Sequence, residues 1–221
     1  SVNRSTLTKF VEKISNFNKS KLKTVEYISK SRTQYLPYSS IILNEIMTIT
    51  NPKKILCSIS GLREGSLSID HLKNTKETEI FNKSIEYIAS KRGDLGSTYQ
   101  KYFKFILPVF DGNEHYNKKL LYLACVLSHM DWGLGAFQKA ELVFQETLNT
   151  PLLRLTHKER IQLALSCYWR YCSIKYNPKF EYLTFLNNNE IFSSKQVGAA
   201  LRFSQSLTSV SYTHLRAHET R

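Results

Sequence analysis

The stretch KKILCSISGLREGSL, residues 53–67, sets how the rest of the chain is read. A short apolar run, Ile55-Leu56-Cys57, ends in a turn bracketed by Gly61 and Gly65, with Arg63 and Glu64 side by side inside it. The run predicts a short buried strand and the residues after it (GSLSIDHL) a short helix. A lone strand leaves its backbone donors and acceptors without partners. The expectation is therefore that this strand is the last one of a larger α/β domain.

Working outward, residues 6–17 (TLTKFVEKISNF) place Leu7, Phe10, Val11 and Ile14 at the i, i+3, i+4, i+7 spacing of an amphipathic helix. Pro37 interrupts the next apolar segment, and a helix is expected over about 38–49 before the NPKK turn. Downstream, the polar KNTKETE (73–79) reads as a linker. Beyond it only helices are expected, over 77–91, 97–110, 115–131, 136–149, 156–173 and 194–208, with Pro151 and Pro178 in connections. The predicted organisation is an αβ piece over 1–72, a helical domain over 73–208 and a tail over 209–221. That tail, SVSYTHLRAHETR, leaves the preceding helical pattern and resembles translated adaptor sequence. It is read as non-native, and His214 and His218 carry no functional argument.

With 221 residues, 42% hydrophobic and 12% aromatic, the chain is long and apolar enough to bury a core. No run of 18 apolar residues offers a membrane span, and no secretory signal pattern is present. The first residue is Ser rather than Met, which suggests an origin further upstream. Cys57, Cys125, Cys167 and Cys172 stand in apolar runs without CxxC spacing. All four are expected to be buried free thiols, and the location cytoplasmic.

The formal net charge is +13, and residues 1–34 alone carry eight Lys or Arg against two Glu. Such a balance invites a polyanion, whereas scattered lysines can also form a plain solvated face. The basic residues do not cluster on one recognition helix, which argues against nucleic acid.

Three segments together resemble the exopolyphosphatase / guanosine pentaphosphate phosphohydrolase family. SRTQYLPYSSIILNEIM with PKKILCSISGLREGSL is similar to the end of that family's second actin-like domain. LYLACVLSHMDWGLGAFQKAELVFQETLNTPLLRLTHKERIQLALSCYWRY and VGAALRFSQSLT are similar to its helical domain. The resemblance implies a mainly α chain, the remnant of an actin-like (RNase H-like) α/β domain followed by an HD-like all-α domain. It implies a hydrolase that removes terminal phosphate from inorganic polyphosphate or guanosine pentaphosphate with a divalent metal (Mg), without a membrane partner and with a homodimer as a possible assembly. The family's catalytic glutamate and glycine-rich phosphate loops lie in its upstream portion, so no residue here is assigned to catalysis or to the metal.

The residues carried over are Arg63, Gly61 and Glu64, as a phosphate-binding turn. A guanidinium presents a planar fork of donors to phosphate oxygens, and a helix starting near Gly65 would turn its N–H groups toward negative charge. Gly61 would let the backbone approach an anion, and Glu64 would orient Arg63. The competing reading is that Arg63 and Glu64 only tie the turn to a neighbouring helix.

Other positions read as structural. LSHMDW (127–132) has Ser128-His129 where an HD-type His-Asp metal pair would fall, and Asp131 lies about 200° round a helix from His129. Thr156 and Glu159 in THKER have capping-box spacing, so His157 marks a helix start. His115 stands at another helix entry. The aromatics of SCYWRYC around Arg170 are expected in the core. WGLGAF lacks the lysine of a phosphate loop. Besides the hydrolase, two readings stay open: a basic helical nucleic-acid-binding module, and a structural helical domain without ligand.

Overall fold

The computed structural model describes residues 2–26, 28–58, 61–63, 65–66, 69, 77–91, 98–111, 117–129, 135–152, 155–176 and 178–219. At 77, 78, 80 and 208–219 it describes the backbone alone. The protein is mainly α-helical with one small two-stranded antiparallel sheet. It divides into two compact units, Ser1–Gly61 and Leu62–Arg221.

In the first unit, strand β1 (Val2–Asn3) leads into helix α1 (Arg4–Ser15). Two single-turn helices follow, α2 (Lys19–Leu22) and α3 (Lys30–Thr33), then α4 (Leu36–Thr50) and strand β2 (Lys54–Ile55). Helix α1 packs on α4, with Val11, Ile14 and Met47 buried. Pro37 sits in the first turn of α4, where a missing N–H costs nothing, so it starts this helix rather than breaking it. Asn51 closes α4 in the left-handed region, at φ 42°, its N–H donating to the Met47 carbonyl. The Arg4 guanidinium donates to the Asn51 side chain and so ties the start of α1 to the end of α4. Helix α4 is apolar on two faces: Met47 points inward while Tyr38, Ile42, Ile46 and Ile49 are exposed.

Two expectations for this unit are corrected. The strand has a partner within the chain, because Val2 pairs with Ile55 and Asn3 with Lys54 in antiparallel register. A two-residue strand carries no alternation that a sequence pattern could reveal. Nor is the apolar run buried. Lys54 is exposed, Ile55 is half-buried, Leu56 is 80% exposed and Cys57 is exposed, so this thiol is not a core group.

The second unit holds helices α5 (Glu77–Lys91), α6 (Thr98–Phe110), α7 (Lys118–Leu127), α8 (Ala136–Asn149), α9 (His157–Tyr171) and α10 (Asn188–Glu219). A 3-10 turn (Glu181–Phe185) precedes α10. Helix α9 is the axis of the unit, packed by α7, α8 and α10. Leu163, Ala164, Leu165, Cys167, Tyr168 and Trp169 on it are fully buried, the signature of a helix surrounded on all sides. The aromatics of SCYWRYC are thus core, and Cys125, Cys167 and Cys172 are buried free thiols as expected.

The N-terminus of α9 is fixed by the expected capping box. The Glu159 N–H donates to Thr156 Oγ1 at 3.1 Å, and the Thr156 N–H donates back to Glu159 Oε2 at 2.8 Å. Helix α7 is shorter than expected because Asn117 caps it, accepting from the Lys119 N–H at 3.0 Å, and it ends at Leu127. Helix α10 begins earlier than expected, since Asn187 and Glu190 exchange reciprocal 2.9 Å bonds at its start. It also runs to Glu219, so the expectation that the helical pattern stops near 208 is corrected. Among the described residues no helix is long and apolar enough to cross a membrane.

Candidate functional site

The GLREG turn, expected from the sequence to bind phosphate, lies where the two units meet in sequence. Gly61 is the last residue of the first unit and Leu62 the first of the second. Gly61, Leu62, Arg63 and Gly65 are all exposed, Leu62 to 88%. The backbone is already helical at Leu62 and Arg63, so Arg63 stands on a first helical turn rather than in a loop before a helix at Gly65. A Cβ built at Gly65 would meet nothing within 4 Å, so crowding does not require glycine there. Glu64 lies outside the described residues.

The first unit surrounds its helices with cations. Lys9 and Lys13, one helical turn apart on α1, are exposed, as are Lys19, Lys21, Lys23, Lys30, Arg32, Lys53 and Lys54. Lys13 lies over the Phe17 ring at 5.9 Å. Ion pairs among the described residues include Lys83–Glu79 and Lys158–Glu190, both in the second unit.

In the second unit, arginines serve the fold instead. Buried Arg160 donates through Nη1 to the Thr150 carbonyl and through Nη2 to the Leu152 carbonyl at 2.9 Å. Its burial lowers the guanidinium pKa. Arg202 donates through Nε to the Arg170 carbonyl at 2.9 Å and through Nη2 to the carbonyls of Trp169 (3.1 Å) and Cys172. These are the end carbonyls of α9, which have no partner within the helix. One arginine thus fastens the connection into α9 and another closes its exit.

Arg170 is different. It is 2% exposed, and the side chains that accept its hydrogen bonds among the described residues are neutral. Nη1 donates to Ser128 Oγ at 2.7 Å and Nε to Gln205 Oε1 at 3.2 Å, while buried Nη2 has no hydrogen-bond partner. The rings of Tyr102 and Tyr171 flank the guanidinium at 5.5 and 5.4 Å. The Tyr171 hydroxyl donates to the Ser128 carbonyl at 2.7 Å, which holds the same corner. The nearby Cys125 thiol has a raised pKa, pushed up by burial, with the Arg170 charge pulling the other way. The sequence marks Arg170 only as an arginine among aromatics. Its place on the helix that is buried on all sides was the available signal.

The LSHMDW segment behaves as a helix end. Ser128 is fully buried and bonded to Arg170, His129 is half-buried, and Asp131 lies outside the described residues. His115 and Trp132, Gly133 and Leu134 of WGLGAF also lie outside them. Among the described residues no group of three or more His, Cys, Asp or Glu side chains could hold a metal ion, so no step is derived through one. No protein-family model matches the chain, and no curated protein is significantly similar to it in sequence.

Proposed function

We propose that the chain is part of a cytoplasmic phosphoric-anhydride hydrolase that removes terminal phosphate from inorganic polyphosphate or guanosine pentaphosphate. In this reading residues 1–72 are the end of an actin-like (RNase H-like) domain and 73–208 an HD-like helical domain that helps to form a basic channel and a homodimer contact. The chain supplies phosphate-binding surface, and none of its residues is given a bond-breaking role. A divalent metal such as Mg belongs to the reaction of the family it resembles and has no ligands among the residues described.

The observation that supports this most is the exposure of Arg63 in the GLREG turn, in a chain whose first unit carries exposed lysines. A guanidinium can donate two parallel N–H bonds to two non-bridging oxygens of one phosphate. Exposed lysines raise the attraction of the chain for polyanions in general, and their contribution weakens as salt screens it. Competition binding tests the class of ligand. A labelled polyphosphate bound by the protein should be displaced by unlabelled polyphosphate and not by duplex DNA at equal phosphate concentration. Preferential displacement by DNA would favour a nucleic-acid module, and absence of binding a structural domain.

A further inference from the structure

A buried cation normally keeps its charge by facing a carboxylate or by having every donor satisfied, because removing it from water costs several kcal/mol. Arg170 has neither arrangement: among the described residues no acid pairs with it, and Nη2 is unbonded. The two tyrosine rings offset only part of the desolvation.

The pattern of its bonds has a direction. Nη1 is committed to Ser128, which is fully buried behind it. The remaining edge of the guanidinium, Nε and Nη2, is the one that matches two oxygens of a carboxylate or phosphate side by side. On that edge only Nε is filled, by the single amide oxygen of Gln205. Gln205 is exposed and sits on α10, so the acceptor that holds this edge is a side chain that reaches solvent. One neutral oxygen thus stands where two charged ones fit.

We infer that the Nε/Nη2 edge of Arg170 is a receptor for a small oxyanion presenting two oxygens, a phosphate or a carboxylate, which takes the place of the Gln205 amide oxygen. The site lies wholly within the second unit and uses no residue of the Arg63 turn, so it holds whether or not the proposed hydrolase activity does. Bound there, the anion neutralises the buried Arg170 charge and joins α9 to α10 through it.

Melting temperatures of the intact protein in sodium phosphate, sodium acetate and sodium chloride, at matched pH and ionic strength, test this. An oxyanion that binds only the folded state raises the melting temperature by mass action. Phosphate or acetate should raise it by several degrees relative to chloride. A rise with phosphate alone assigns the site to phosphoryl groups, and a rise with both to oxyanions generally. Gln205→Glu places a carboxylate on the same edge, so it should raise the melting temperature in chloride and remove the oxyanion-dependent increment. Gln205→Ala, which removes the incumbent oxygen, should enlarge that increment. Equal melting temperatures in all three salts would overturn the inference. So would an increment that persists undiminished in Gln205→Glu, since it would then arise from surface lysines.

Discussion

Gly198 on α10 lies directly against Trp169 on α9. A Cβ at position 198 would fall 2.5 Å from the Trp169 Cβ and 2.8 Å from its backbone carbonyl carbon. The contact brings α9 and α10 to backbone distance, and the indole Nε1 donates to the Tyr176 carbonyl at 3.2 Å. Neither the backbone of α9 nor a fully buried indole can yield cheaply. Gly198→Ala should therefore destabilise the protein by about 1–3 kcal/mol, as overpacking does, despite alanine's better helix propensity. Urea unfolding checks this, and a Gly198→Ala protein as stable as the parent would show that α9 and α10 are further apart.

The capping box at Thr156 anchors the start of the central helix. Thr156→Ala leaves the Glu159 N–H without its side-chain acceptor and should cost about 1 kcal/mol. The same denaturant midpoint measures it, and the slope should stay unchanged because the surface exposed on unfolding is unchanged.

Glu190 gives the protein an acid-sensitive contact. Burial acts to raise its pKa. The hydrogen bond and charge of Lys158 (2.8 Å) and the bond from the Asn187 N–H outweigh this, so the folded-state pKa is lowered. A carboxyl whose pKa is lower when folded than unfolded stabilises the protein above its unfolded pKa. That stability fades as pH falls through the ordinary glutamate range and is gone below the depressed folded value. Glu190→Gln should lower the melting temperature at pH 7 and flatten its decline between about pH 5 and pH 3. Parallel pH profiles for the two proteins would contradict the assignment.

How much of this was legible in sequence depended on the kind of signal. Helices at Glu77–Lys91 and Ala136–Asn149 have the boundaries their apolar periodicity implied, and the Thr156/Glu159 pair gave the start of α9. The start of α10 was missed because Asn187 and Glu190 cap it from within a polar stretch without apolar periodicity. The partner of β2 was missed because Val2–Asn3 is too short to alternate. Cys57 was assigned to a core on composition, although only tertiary packing decides which face of a short apolar run is covered. At the candidate site, residue type pointed to Arg63, but the helical conformation at Leu62 follows from folding and was not in the motif. Arg170 was visible as a charge among aromatics, whereas its missing acid partner is a fact of three dimensions.

The proposed phosphate-binding role of Arg63 is tested most directly by equilibrium binding of inorganic polyphosphate to the protein and to Arg63→Ala, at one fixed salt concentration. Arg63 is exposed, so the substitution should leave the melting temperature unchanged. Loss of a charge-assisted bond of about 1.5–3 kcal/mol predicts polyphosphate affinity lower by roughly ten- to a hundredfold. Equal affinities for the two proteins, with both fully folded, would contradict the account.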